Sequence, residues 1–147
     1  MFLDVVGIDT PCLDFLTHIE KLPKSDHGTS LLEYSWQGGG KVSSALVALA
    51  RLGAKCGIIG YVGSDVYGRF CIKDFNDHGI DTTYLKIDED KDTPFSLVLS
   101  EKQTKGRNII YHSGNARRLS PNELNKDYIT SAKYLHLSQV NDATYTA

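Results

Sequence analysis

The spacing of apolar residues divides the chain into alternating strand and helix patterns. Short apolar runs rich in β-branched residues indicate buried strands, whereas apolar residues at i, i+3, i+4 and i+7 indicate an amphipathic helix. These patterns predict strands at residues 5–7, 57–62 and 83–87, a helix at residues 41–52, and a helix from a cap at Ser64 or Asp65 to about His78. Because strands and helices alternate, we expect an α/β layer with parallel strands.

Four further strand patterns fall outside this alternation. They lie at residues 14–19, 30–36, 95–100 and 108–112, and a polar stretch joins the last two as a hairpin. We expect the three consecutive glycines at residues 38–40 to end the second of these strands. Ser120 and Glu123 form a capping box with Pro121 at the first helical position, which predicts the start of a helix before a last strand at residues 134–137.

Composition and charge exclude several classes of protein. The chain has 147 residues, 41% of them hydrophobic and 23% charged, and this length alone suggests one domain. A formal net charge of -2 gives no electrostatic footprint for nucleic acid, and neither a long apolar run nor a basic N-terminal region marks a membrane span or a signal peptide. Cys12, Cys56 and Cys71 lack CxxC spacing, which argues against a disulfide framework or a zinc site and favours a reducing cytoplasm.

The run of glycines at residues 38–40, here named the glycine segment, opens the first predicted helix. Glycines let a ligand approach the backbone, and the unpaired N–H groups of a helix start suit hydroxyls, carboxylates or phosphates. The segment does not fit a P-loop, because Ser35 stands at the first glycine position and Val42 replaces the Ser or Thr that would hold magnesium. Ser43 at the third glycine position argues against the dinucleotide pattern, and a plain strand-to-helix turn remains the alternative.

Several segments, in the right order, resemble the PfkB, or ribokinase-like, carbohydrate kinase family. Residues 39–53 and 60–68, with Gly-Gly-Lys at the start of the helix and Gly-Tyr-Val-Gly-Ser-Asp across the end of the next strand, are similar to the first signature of that family. The resemblance extends to residues 6–14, 22–23, 78–82, 93–99, 106–107 and 114–116, and so covers almost the whole chain. It implies a ribokinase-like, Rossmann-type three-layer α/β body, here incomplete, with a small β-sheet lid.

The resemblance also implies how the chain is organised. Residues 1–147 would form the N-terminal part of a single ribokinase-like domain, with lid strands from about residues 15–37 and 93–113. The DTxGAGD motif, which supplies the catalytic base and an anion hole in the family, does not occur in this sequence. We therefore expect the C-terminal, ATP-binding half to be absent, no catalytic residue to lie in this chain, and the chain alone to phosphorylate nothing.

Asp14 is the leading sugar-binding residue that the resemblance implies. A carboxylate accepts hydrogen bonds from two hydroxyls at once, which is the chemistry that a sugar requires. Gly39, Gly40 and Lys41 would approach the sugar through backbone N–H groups and the ammonium group.

Four further residues are weaker candidates for sugar contacts. Phe95 would cover the sugar from the lid, while Thr10 and Ser44 stand where family members often have Asn. Asn115 completes the set, although the order Gly-Asn-Ala at residues 114–116 inverts the GAN of the family. These departures leave the identity of the substrate open.

The reaction that the resemblance implies is phosphoryl transfer from ATP, with Mg²⁺, to a hydroxyl of a sugar or sugar phosphate. ATP and Mg²⁺ would serve the full-length enzyme, and we expect this chain alone to bind neither. A homodimer formed through the lid is implied as well, without nucleic-acid or membrane partners. Two alternatives stay open: a nucleoside kinase of the same fold, suggested by the spacing of Gly7, Pro11 and Asp14, and a non-catalytic module that binds a sugar or dimerises.

Overall fold

The structure is a computed structural model that describes residues 2–116 and 119–139. Within these residues the chain forms two four-stranded sheets. The strands are β1 (Leu3–Asp9), β2 (Cys12–Ile19), β3 (Leu31–Gly39), β4 (Cys56–Gly63), β5 (Asp81–Asp88), β6 (Phe95–Glu101), β7 (Arg107–His112) and β8 (Ala132–Leu137). The helices are α1 (Lys41–Arg51), α2 (Val66–Asp77) and α3 (Lys126–Thr130), and a 3₁₀ turn spans Pro121–Glu123.

The first sheet carries the alternating part of the chain. Its strand order is β5-β4-β1-β8, and every neighbouring pair is parallel. Helices α1 and α2 cover one face, where Val42, Leu46 and Ile58 share a core, and α3 covers the other, where Ile129 and Ile59 share a second core. A parallel sheet between two helical layers confirms the predicted α/β fold.

The second sheet consists of the four strands that fall outside the alternation. Its order is β3-β2-β6-β7, with β2 antiparallel to β3 and parallel to β6, and β6 and β7 form the predicted antiparallel hairpin. Only Thr10 and Pro11 separate β1 from β2, and Gly40 alone separates β3 from α1. The two sheets therefore adjoin where β1 ends and α1 begins.

The glycine segment does not end β3, contrary to the prediction. Gly38 and Gly39 continue the strand and stand opposite Leu13 and Cys12 of β2. The strand continues because the hydrogen bonds of a ladder need only the backbone, which glycine provides as well as any residue.

The capping box at Ser120 forms, but the helix that it begins is a 3₁₀ turn of three residues. The Glu123 carboxylate accepts a hydrogen bond from the Ser120 N–H at 2.9 Å, as such a box requires. Leu124 then adopts an extended conformation with ψ 128°, which ends the turn before α3 starts at Lys126.

Candidate functional site

Asp14 lies on β2 beside the point where the second sheet meets α1. It stands opposite Gln37 of β3 and Ser96 of β6, and its Oδ1 accepts a hydrogen bond from the Ser96 hydroxyl. Its Oδ2 lies against Gly39: a Cβ at that position would overlap with Oδ2 and lie 2.8 Å from the Cys12 sulfur. The lack of a side chain at Gly39 therefore lets the glycine segment close onto the Asp14 carboxylate.

Gly40 turns the chain from β3 into α1. It is the N-cap residue, and its φ of 113° lies in a region that residues with a side chain rarely adopt. A Cβ there would also lie 2.7 Å from Oδ2 of Asp9. Lys41 follows as the first helical residue and is exposed, which leaves its ammonium group available beside this turn.

Asp9, at the C-terminal end of β1, holds the start of α1. It is buried, with 8% of its surface exposed. Its Oδ2 accepts hydrogen bonds from the Val42 N–H at 3.0 Å, the Ser43 N–H at 2.8 Å and the Ser43 hydroxyl at 2.8 Å. The expectation of unpaired N–H groups at this helix start is therefore wrong for Val42 and Ser43, because a carboxylate of the protein already binds them. Asp9 is not among the residues predicted from the sequence, although an acidic residue at the end of a buried strand next to a helix start is a usable signal.

Thr10 and Ser44 flank this region and are both exposed. Thr10 follows Asp9 in the link between β1 and β2. Ser44 lies in the first turn of α1, where its N–H donates to the Gly40 carbonyl at 3.0 Å. We name the region the α1 corner; it consists of Asp9, Thr10, Asp14, Gly39, Gly40, Lys41 and Ser44.

Phe95 does not share a face of the second sheet with Asp14. It stands opposite Leu13, one position before the residue that pairs with Asp14, and successive side chains of a strand point to opposite faces. Its ring packs on Tyr67 of α2, with centroids 5.0 Å apart, and on His112 of β7 at 5.5 Å. The contacts of Phe95 therefore lie between the second sheet and α2.

Asn115 lies in the segment after β7 and ties it to the loop before β6. Its side-chain oxygen accepts a hydrogen bond from the Asp92 N–H at 2.6 Å, and its own N–H donates to the Asp92 carbonyl at 3.1 Å. The hydrogen bonds of Asn115 are thus made with the loop and hold two neighbouring segments together.

The cysteine beside the α1 corner is held in its neutral form. Burial, and after it the charges of Asp14 and Asp9, raise the pKa of the Cys12 thiol to about 12. Burial likewise raises the pKa of the Cys71 thiol to about 12, and this thiol donates to the Cys12 carbonyl at 3.4 Å. Since the reactive form of cysteine is the thiolate, neither residue is suited to act as a nucleophile or a metal ligand at neutral pH.

Neither a metal cluster nor a membrane helix occurs in the described residues. Within residues 2–116 and 119–139, no group of three or more His, Cys, Asp or Glu side chains is arranged to hold a metal ion. Among the helices that the structure describes, none is both long and apolar enough to cross a membrane.

The family of the chain follows from a match to a known protein family, and the matched residues include the whole α1 corner. Residues 7–147 match the family described as pfkB family carbohydrate kinase. The chain belongs to the pfkB family of carbohydrate kinases. The resemblance expected from the sequence is thereby confirmed, and the match includes β2, the glycine segment and α1.

Relatives that the chain matches are sugar kinases of greater length. The chain is 28% identical to the ketohexokinase of Mus musculus over 129 residues, which cover 88% of this chain and 43% of that protein. It is also 28% identical to the 5-dehydro-2-deoxygluconokinase of Geobacillus kaustophilus over 138 residues, which cover 92% of this chain and 40% of that protein. The chain therefore spans less than half the length of these relatives.

Solved structures of pfkB-type kinases share the fold. The structure of Arabidopsis thaliana ribokinase complexed with ribose and ATP matches with a TM-score of 0.76 and 21% sequence identity, over 93% of this chain and 45% of that one. The likeness confirms the ribokinase-like fold that the sequence predicted.

Proposed function

We propose that this chain is the substrate-binding and lid portion of an ATP-dependent sugar kinase. The observation that carries the proposal is the contact between the Asp14 carboxylate and Gly39 in the α1 corner. The contact places a carboxylate, which accepts hydrogen bonds from hydroxyl groups, next to the glycine segment. Because glycines have no side chains, a ligand can approach the backbone there. Membership of the pfkB carbohydrate kinases supports a sugar as the molecule that carries those hydroxyls.

In this proposal, hydrogen-bond acceptors and donors of the α1 corner bind different hydroxyl groups of the sugar. Asp14 accepts hydrogen bonds from two hydroxyls, while the Ser96 hydroxyl fixes the orientation of its carboxylate through Oδ1. The backbone at Gly39 and Gly40 and the ammonium group of Lys41 supply donors.

The remaining predicted residues are not part of this contact. Thr10 and Ser44 offer exposed hydroxyls at the rim of the corner. For Phe95 and Asn115 a sugar contact stays a prediction, and their packing on Tyr67 and Asp92 favours a role in supporting the lid.

We assign the lid to the second sheet. Its strands lie within the predicted ranges of about residues 15–37 and 93–113, except that β2 begins three residues earlier and β3 ends two residues later. The sheet adjoins the α1 corner through β2 and β3. A lid in this position would shield the acceptor hydroxyl from water and so limit wasteful hydrolysis of ATP. Exposed apolar side chains on one face of the sheet, among them Tyr34 and Ile110, favour the pairing of two copies through it.

Phosphoryl transfer needs groups beyond those of the α1 corner. ATP with Mg²⁺ supplies the phosphoryl group, and a base must take the proton of the attacking hydroxyl. The sequence contains no Gly-Ala-Gly-Asp segment of the kind expected to supply that base. We therefore expect this chain alone to bind neither ATP nor Mg²⁺ and to turn over no ATP above a matched blank. Its free cysteines are in keeping with a reducing compartment such as the cytoplasm.

A thermal-shift panel on the purified chain tests the proposal. The panel contains D-fructose, D-ribose, their phosphates and adenosine. A bound sugar at about 100 times its Kd should stabilise the chain by about 2.7 kcal/mol. Asp14→Asn is expected to abolish the shift, whereas Asp77→Asn, which removes an exposed carboxylate at the end of α2, should keep it. Stabilisation by adenosine alone would favour the nucleoside kinase, and the lack of a shift with every compound would contradict the proposal.

A further inference from the structure

Asp9 is a buried carboxylate that the proposed sugar contacts do not use. One of its oxygens, Oδ2, accepts three hydrogen bonds, two from backbone N–H groups and one from the Ser43 hydroxyl. The residues that donate them are also buried, because Val42 and Ser43 are 0% and 2% exposed. Loss of the carboxylate would therefore leave buried donors without a partner, which is more costly than loss of a surface bond.

We infer that Asp9 is a positioning residue, which fixes the glycine segment and the first turn of α1 in the arrangement that receives the sugar. That the bound molecule is a sugar rests on the proposed function. That Asp9 positions the segment rests on its hydrogen bonds to α1. Three consecutive glycines have wide backbone freedom, so an ordered segment needs contacts that restrain it. Asp14 supplies one such contact at Gly39, and Asp9 supplies another at Gly40.

The charge of Asp9 also decides what the helix start offers to a ligand. The N-terminus of a helix carries a partial positive charge that attracts anions. In α1 this charge is already met by a carboxylate of the protein, at 2.8 Å from the Ser43 N–H. The α1 corner is thereby set to exchange hydrogen bonds with uncharged hydroxyls instead of capturing an anion at the helix start.

Three variants of the 147-residue chain test the inference. Asp9→Ala removes the acceptor, Asp9→Asn keeps an acceptor oxygen without the charge, and Asp4→Ala is the matched control. Asp4 lies at the opposite end of the same strand, where it accepts from the Lys55 N–H at 2.9 Å and pairs with Lys133 at 2.7 Å. Amide hydrogen exchange at residues 39–44 is measured without sugar, and Kd is measured for D-fructose and D-ribose.

We expect Asp9→Ala to speed exchange of the Val42 and Ser43 amides by about tenfold relative to Asp4→Ala, since it leaves these buried donors without a partner. The Kd for the bound sugar should rise by about tenfold in Asp9→Ala and return to within about threefold of wild type in Asp9→Asn. If Asp9→Ala does not fold, Ser43→Ala replaces it with a smaller expected effect, because it removes only one of the three bonds.

Equal exchange at residues 39–44 in Asp9→Ala and Asp4→Ala would overturn the inference, and so would equal loss of affinity in Asp9→Asn and Asp9→Ala. Failure of the wild-type chain to bind any sugar or sugar phosphate of the thermal-shift panel would instead overturn the proposed function and the sugar part of this inference. The exchange measured without sugar separates these two failures.

Discussion

Two aspartates are bound by backbone N–H groups at the starts of the two long helices. Asp9 reaches α1 from a neighbouring strand, whereas Asp65 is the N-cap of α2 and accepts from the Gly68 N–H at 2.7 Å. The other Asp65 oxygen accepts from the Thr93 N–H at 2.8 Å, which ties the loop before β6 to α2. Burial opposes the ionisation of Asp65, but these hydrogen bonds outweigh it and hold its pKa below the ordinary value.

Replacement of Asp65 should therefore have a stability effect that depends on pH. We expect Asp65→Ala to lower the free energy of unfolding by about 1–2 kcal/mol at pH 7, because the helix cap and the hydrogen bond from Thr93 are lost together. A lowered pKa stabilises the fold above the ordinary carboxyl pKa, and this stabilisation is lost as the pH falls below about 3.9 and through the pKa of the folded state. The difference between wild type and Asp65→Ala in urea unfolding should consequently shrink between pH 7 and pH 3.

The matched control for this comparison is Asp77→Ala, which removes an exposed carboxylate at the other end of α2. A surface ion pair contributes little, so we expect a change below about 1 kcal/mol there. A difference for Asp65→Ala that stays constant or grows toward pH 3 would contradict the assignment.

At the scale of elements, aromatic rings join α2 to the second sheet. Trp36 of β3 packs against Phe70 at 5.7 Å and Tyr67 at 6.0 Å between ring centroids, and Tyr67 packs in turn on Phe95 of β6. Two strands of the sheet thus rest on one face of a helix that belongs to the first sheet's layer. We infer that this cluster sets how the second sheet is held against α2.

Trp36 is the single tryptophan of the chain and reports on this contact directly. We expect Phe70→Leu to lower the free energy of unfolding by about 1 kcal/mol, since an aromatic pair contributes about that much beyond its buried area. Trp36 is 43% exposed, so its fluorescence emission should shift further to longer wavelength as the covered part of the ring also meets water. Phe2→Leu is the control, because Phe2 is exposed at the start of the chain, and an unchanged emission in Phe70→Leu would contradict the role of the cluster.

At the scale of the whole molecule, the second sheet carries a large share of the exposed apolar surface. Ile110 of β7 and Tyr34 of β3, which lie on the same face of the sheet, are 60% and 68% exposed. Exposed apolar side chains gathered on one sheet favour a protein partner, and the proposal names a second copy of the chain.

Sedimentation equilibrium tests this pairing. We expect the wild-type chain to associate with increasing concentration and Ile110→Lys to shift the equilibrium toward the monomer, because a charge would have to be buried in the contact. Leu52→Lys is the matched control, since Leu52 is 84% exposed directly after α1 and outside the second sheet. Equal association of the two variants would exclude the second sheet as the pairing surface.

The sequence predicted the parts of the fold that follow from local pattern and the family resemblance, including the parallel layer, the hairpin and a cap at Ser64 or Asp65, of which the structure shows Asp65. It also singled out Asp14 and Gly39, which the structure brings into contact. The sequence could not predict on which face of the sheet Phe95 lies relative to Asp14. That face depends on the register between β2 and β6, which are far apart in the chain. A shift of one residue in that register would turn every side chain of the strand to the other face. The bonds of Asp9 to α1 were missed for a similar reason, since they depend on how closely β1 and the helix start approach.

The most direct measurement of the central claim is a titration of the chain with D-fructose and with D-ribose, followed by two-dimensional amide NMR. Binding at the α1 corner should shift the amide signals of Asp14, Gly39, Gly40 and Lys41 with one saturating curve for at least one sugar, and Asp14→Asn should remove these shifts. Shifts confined to other parts of the chain, or shifts that persist unchanged in Asp14→Asn, would contradict the assignment of the α1 corner as the sugar site.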